Sequence, residues 1–333
     1  MKETSQTGPA DDTPLRLLPC DVRPKIHLPK TTTDRYITDK SGTVTYHFNS
    51  LGYRGEELDP DAAFRICLIG ESHAIGLGVE MRDTYGQRLK RHIGKALGLA
   101  PKQVNCINLS VSGASSDYCV RTAFRQLTQV PVDLAVCCIP APNRMEYCRP
   151  AGYEMLNLNG LTPENMDRAP VPLVGFADFY NDRMGLIALM KNTLLLQDFF
   201  KRRGIGYVLT SQHLTRARRR FDYLKVFDDD LDTRAFLEDR IFALRPDRAA
   251  DGAHGGPRTH AAFAIAVLDR FAAAQRDTGD PALAEKLARY VAVQKRKNPD
   301  WAFVRAAQKK AMQRAKAKSQ KGAAAPVAAD PQP

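Results

Sequence analysis

Three side chains in this sequence have the types and spacing for acyl chemistry. Ser72 stands directly after Phe64-Arg65-Ile66-Cys67-Leu68-Ile69-Gly70-Glu71, and far along the chain Asp251-Gly252-Ala253-His254 sets a carboxylate three residues before an imidazole. A serine hydroxyl is a weak nucleophile until a base takes its proton. An imidazole held at one ring nitrogen by a carboxylate offers the other nitrogen for that task. One Gly-rich loop would then supply both the base, His254, and its orienter, Asp251. Ser72 alone reads as readily as a turn residue or a helix cap. The paired arrangement is much more specific than either half.

To bring these positions together the chain needs a scaffold. The apolar run Phe64–Ile69 suits a strand covered on both faces, with Ser72 at its carboxyl end, where open α/β sheets bind ligands. Tyr85, Leu89, Ile93 and Leu97 recur at helical spacing, and residues 104–109 form a second strand that ends at Ser110-Val111-Ser112-Gly113. A helix with Val120, Phe124 and Leu127 follows, then a third strand over 132–139 and a loop over 140–143. Residues 184–200 read as a helix and 207–210 as a fourth strand. Residues 228–245 are helical in pattern, and Phe263, Val267, Leu268 and Phe271 mark a helix after His254. Strand and helix alternate, so the expected class is α/β: a three-layer α/β/α, flavodoxin-like fold with a central parallel sheet. Residues 1–40 read as a poorly ordered leader, 41–278 as the main domain with an irregular insertion at about 146–178, and 279–333 as a basic, helical to disordered tail.

The 333 residues carry a net charge of +12, but residues 286–321 hold twelve Lys or Arg against one acid, leaving a body close to neutral. That run is either a solvated helix fraying into disorder or an electrostatic anchor for nucleic acid or an anionic membrane face. No apolar stretch is long enough to span a bilayer, and the start lacks the apolar core of a secretory signal, so a cytoplasmic location is the default expectation. Seven cysteines without a Cys-x-x-Cys pair argue against a disulfide framework or a zinc site. Neither a metal nor a cofactor is expected. Gly76-x-Gly78 hints at a dinucleotide loop, but Met81 occupies the third glycine position.

With these residues in place, the chain resembles the SGNH (GDSL-like) hydrolases, named for a Ser, a Gly, an Asn and a His in four blocks. Gly70-Glu71-Ser72 resembles the first block, Asn108-Leu109-Ser110-Val111-Ser112-Gly113 the second, Asn143 the third, and Asp251 with His254 the last. Asn49-Ser50-Leu51-Gly52-Tyr53-Arg54-Gly55 is similar to a leader that precedes the serine block in bacterial members. The resemblance covers about residues 45–275 in block order. It implies a serine esterase or deacylase acting through an acyl-enzyme on a small-molecule or carbohydrate ester. Ser72, Asp251 and His254 would form the triad, and the Ser72 N–H, Gly113 N–H and Asn143 side chain the oxyanion hole. O-acyl transfer is the nearest variant, and a catalytically silent binding module with a basic tail the alternative from another class. Two positions depart from the family pattern: Glu71 stands where it has aspartate, and Arg144 where the third block carries an acid. His260 is either a second polar group at the site or a packing or capping residue.

Overall fold

The computed structural model describes residues 16–22, 36–38, 43–149, 152–159, 161–218, 220–237, 241–244, 246–299, 301 and 306. A short antiparallel pair, β1 (Tyr36–Thr38) and β2 (Thr45–His47), leads into β3 (Phe64–Ile69). After β3 come a single helical turn, α1 (Ser72–Ile75), and α2 (Tyr85–Leu97), then β4 (Val104–Asn108), α3 (Ser116–Leu127) and β5 (Leu134–Cys138). A hairpin of β6 (Arg144–Arg149) and β7 (Gly152–Asn157) precedes α4 (Val171–Phe179) and α5 (Asp182–Arg202). The remainder runs β8 (Gly206–Thr210), α6 (Gln212–Arg218), β9 (Phe236–Leu237), α7 (Ile241–Leu244), α8 (Pro257–Thr278) and α9 (Pro281–Lys297).

The central sheet has the order β4-β3-β5-β8-β9, with every pair parallel. Its side chains alternate between two cores. Cys67, Ile69, Ile107, Ala135, Cys137 and Leu209 face one side, with Tyr118, Cys119 and Leu127 of α3 and Leu189 and Phe200 of α5. Ile66, Leu68, Cys106, Leu134, Val136 and Val208 face the other, with Leu89 and Ile93 of α2, Phe263, Val267 and Phe271 of α8, and Leu287 and Val291 of α9. Period-two alternation with apolar residues at both phases is what a sheet covered on both faces requires. The three-layer, flavodoxin-like arrangement expected from the sequence is therefore present. The chain steps outward from β3 to β4 on one side and returns to β5 on the other. The crevice between the carboxyl ends of β3 and β5 is thus a topological switch point.

Several local expectations are revised. The described residues of 146–178 are not irregular: they hold most of the β6–β7 hairpin, a 3₁₀ turn (Pro163–Arg168) and all but the last residue of α4. Residues 228–245 are not one helix, because Phe236–Leu237 adds a fifth strand to β8 and, among the described residues of the stretch, only Ile241–Leu244 is α-helical. The described part of the leader is tied down: Leu17 and Val22 are buried, and Leu18 exchanges two hydrogen bonds with the Gln126 side chain. In the region read as tail, α9 buries Ala284, Leu287 and Val291, while most of the basic run beyond it lies outside the described residues. No helix among the described residues is long and apolar enough to cross a membrane.

Because Leu287 is wholly buried, Leu287→Ala should cost about 2–5 kcal/mol of unfolding free energy. A solvated α9 would lose no more than about 0.5 kcal/mol. Urea denaturation of the two proteins separates these outcomes.

Candidate active site

The turn after β3 is built to bring backbone close to backbone. A Cβ on Gly70 would stand 2.8 Å from the Cys138 carbonyl oxygen at the end of β5. Only glycine permits that approach. The α1 turn begins at Ser72 and closes at Gly76, and its exit is held from below by Arg54. This fully buried guanidinium donates from Nη1 to the carbonyls of Ile75 (2.9 Å) and Gly76 (2.5 Å), and from Nη2 to that of Val79 (2.7 Å). Its cation lies 4.3 Å from the Tyr46 ring centroid. Burial lowers its pKa to about 10, so it remains charged at neutral pH. The Tyr46 hydroxyl in turn accepts from the Gly78 amide at 2.8 Å. The leader-like segment around Arg54 thus serves as a clamp on the Ser72 turn.

The loop bearing Asp251 and His254 lies against the same exit. Gly78, with φ +71°, would set a Cβ 2.8 Å from that of Ala249 and 2.9 Å from the Asp251 carboxyl carbon; its carbonyl accepts from Ala250 N at 2.9 Å. The far side of the loop is fixed by Asp247, whose carboxylate accepts from the Arg258 and Thr259 amides in the first turn of α8. His254 Nδ1 lies 2.6 Å from Asp251 Oδ2, while Oδ1 accepts from the Ala253 and His254 amides. Burial pushes the Asp251 carboxyl up, but these amides and the imidazole outweigh it and hold the pKa below its ordinary value.

Glu71 gathers a second set of partners. Its Oε2 accepts from the Ser72 hydroxyl at 2.7 Å and from Arg144 Nη1 at 2.9 Å, and its Oε1 lies 2.5 Å from His73 Nδ1. Burial raises this carboxyl, but His73, Arg144 and Ser72 together hold it well below the usual range. The two departures from the family pattern, Glu71 and Arg144, are therefore a mutually compensating pair. His73 meets His254 edge to face, with ring centroids 5.2 Å apart.

A cavity of about 380 Å³ opens at the carboxyl ends of β3, β5 and β8. Ser72, His73, Glu71, Arg144 and His254 line it, with Thr210, Ser211 and His213 from the β8 end. Ser72 and His254 thus share one cavity without a hydrogen bond between them, the hydroxyl being turned to Glu71. Gly113 and Asn143 do not line it. The Gly113 N–H, in the turn after β4, has no partner among the described residues. The Asn143 side chain donates to Asn159 Oδ1 at 2.7 Å, and its own Oδ1 is buried without a partner. His260 is a packing residue: its Nδ1 accepts from the first amide of α2, Tyr85 N, at 3.0 Å, and its ring stacks on Tyr85. The sequence assigns no role to His73 or Arg144; an imidazole two residues beyond Glu71 is the available signal for the first. Among the described residues no group of three or more His, Cys, Asp or Glu is placed to hold a metal ion.

No protein-family model matches the chain, and no curated protein matches it in sequence. Among solved structures it is similar to TesA, at 14% identity over 68% of this chain and 97% of that one, with a TM-score of 0.37. It is also similar to LAE5, an alpha/beta hydrolase enzyme from the metagenome of Lake Arreo, Spain, at 13% identity over 64% and 96% of the two chains, with a TM-score of 0.39. A third is the psychrotrophic esterase EstA from Pseudoalteromonas sp., at 12% identity over 70% and 99%, with a TM-score of 0.36. These are distant likenesses, and the roles of individual side chains rest on the cavity itself.

Burial, then the charges of His73, Arg54 and Arg88, lowers His260 to about 3. Unfolded, the ring takes a proton below its ordinary ~6.5, so between those values the unfolded state binds more protons and stability falls as pH falls. His260→Asn keeps an acceptor for Tyr85 N–H but cannot titrate. It should flatten the acid limb of stability by up to about 1.4 kcal/mol per pH unit, read by urea titrations at neutral pH and near pH 4.

Proposed function

We propose that this chain is a serine ester hydrolase of the SGNH type, removing an acyl group from a small-molecule or carbohydrate ester. The observation that carries this is the shared cavity: Ser72 and the Asp251-held His254 line one space at the switch point of the sheet. Ser72 Oγ attacks the ester carbonyl carbon while His254 Nε2 takes its proton, and Asp251 holds the resulting imidazolium. The tetrahedral oxyanion is met by the Ser72 amide, which takes no partner in the α1 turn; the Gly113 amide, also without a partner among the described residues, stands outside the cavity lining. Collapse expels the alcohol, which receives the proton from His254, and leaves acyl-Ser72. Water then repeats the sequence and releases the acid.

Two adjustments follow from the resting geometry. The Ser72 hydroxyl must leave Glu71 and turn to His254. Asn143 becomes a further oxyanion donor only by giving up Asn159.

Ser72→Ala should abolish hydrolysis of p-nitrophenyl acetate and labelling by a fluorophosphonate probe, and Asp251→Asn should lower kcat by about two to four orders of magnitude. Undiminished turnover by Ser72→Ala would remove the nucleophile. A folded wild-type protein that neither hydrolyses the ester nor takes the probe would instead favour a silent binding module. Added alcohol that raises product release above the hydrolytic rate would assign acyl transfer.

A further inference from the structure

The Glu71–Arg144 pair leaves half of a guanidinium unused. Arg144 Nη1 donates to Glu71 Oε2 and, at 3.3 Å, to the Ala114 carbonyl. Nε is buried without a partner, and Nη2 makes no hydrogen bond among the described residues. Nε and Nη2 form the edge of the guanidinium on which two N–H bonds run parallel, the geometry that receives a carboxylate in bidentate fashion. A buried Nε–H without an acceptor is costly, and a ligand oxygen relieves that cost.

Place and charge sharpen the picture. Arg144 lines the same cavity as Ser72, and both side chains bond to one oxygen atom, Glu71 Oε2, so the guanidinium lies beside the Ser72 hydroxyl. Glu71 divides its charge among Ser72, His73 and Arg144, which leaves the guanidinium incompletely neutralised on its free edge. Its Nη1 is held by both Glu71 and Ala114, and the side chain is only 11% exposed. It is therefore preorganised, and little rotamer entropy remains to be lost on binding.

We propose that the Nε/Nη2 edge of Arg144 is the substrate-anion site of this cavity, and that the ester it takes carries a carboxylate. This rests on the ester-hydrolase reading above and adds the substrate class to it.

The test compares kcat/KM for two anionic esters with their neutral counterparts. Monoethyl succinate against diethyl succinate places the carboxylate on the acyl side, and acetoxyacetate against its methyl ester places it on the alcohol side. Wild-type protein should prefer one anionic ester by tenfold or more, and the preferred pair identifies the side. Arg144→Lys, which keeps the charge without the fork, should lose most of that preference, and Arg144→Gln all of it. No preference for either anion, or a preference that survives in Arg144→Gln, overturns the proposal. Should Arg144→Gln fail to fold, the wild-type and Arg144→Lys ratios decide. Should no ester be turned over at all, the hydrolase reading has failed on its own, and titration calorimetry with succinate tests the anion site directly. Saturable binding that is weakened tenfold in Arg144→Lys supports it, and no binding by the wild type overturns it.

Discussion

A single buried carboxylate, that of Glu71, organises the candidate site. Removing an ionised carboxyl from water costs several kcal/mol unless donors surround it, and here a hydroxyl, an imidazole and a guanidinium do so. Each donor comes from an element the sheet brings to one crevice. Ser72 and His73 begin α1, and Arg144 begins the hairpin that follows β5. The carboxylate thereby draws two residues of α1 and one of β6 into a single constellation, and it sets the resting direction of the proposed nucleophile. A charged pair of this kind is weak evidence of added stability; its contribution here is the placement of side chains.

Much of this was legible in the amino-acid sequence. The runs Phe64–Ile69 and Leu134–Cys138 are apolar at both phases, a pattern that only a sheet covered on both faces accommodates, and the parallel sheet follows. Asp251 and His254 are close in sequence, so their pairing needed only one loop. Glu71 and Arg144 each stood out as a departure from the family pattern. Their compensation was hidden, because 72 residues separate them and nothing local links a carboxylate to a guanidinium over that distance.

The misses have physical reasons as well. Phe236–Leu237 is two residues at a sheet edge, too short to show alternation, and the charged residues before it read as a helix start. The β6–β7 hairpin does alternate, through Met145 and Tyr147 and then Tyr153 and Met155, but the surrounding Pro, Gly and Asn residues suggested irregular chain. In α9 the buried Ala284, Leu287 and Val291 lie at helical spacing among lysines and arginines whose number dominated the composition. The side-chain hydrogen bond of Asn143 to Asn159 depends on how the hairpin returns, which no local pattern encodes.

The contact at Gly78 has a consequence for how the cavity can deform. The exit of the Ser72 turn and the loop carrying Asp251 are joined by the Ala250 amide on the Gly78 carbonyl, and the Ala249 and Asp251 side chains pack directly on the bare Cα of Gly78. These two walls therefore travel as one piece. Any breathing of the cavity falls to the opposite rim, built from the ends of β5 and β8. The spacing of the Ser72 turn and the His254 loop is gauged by a missing methyl group at Gly78.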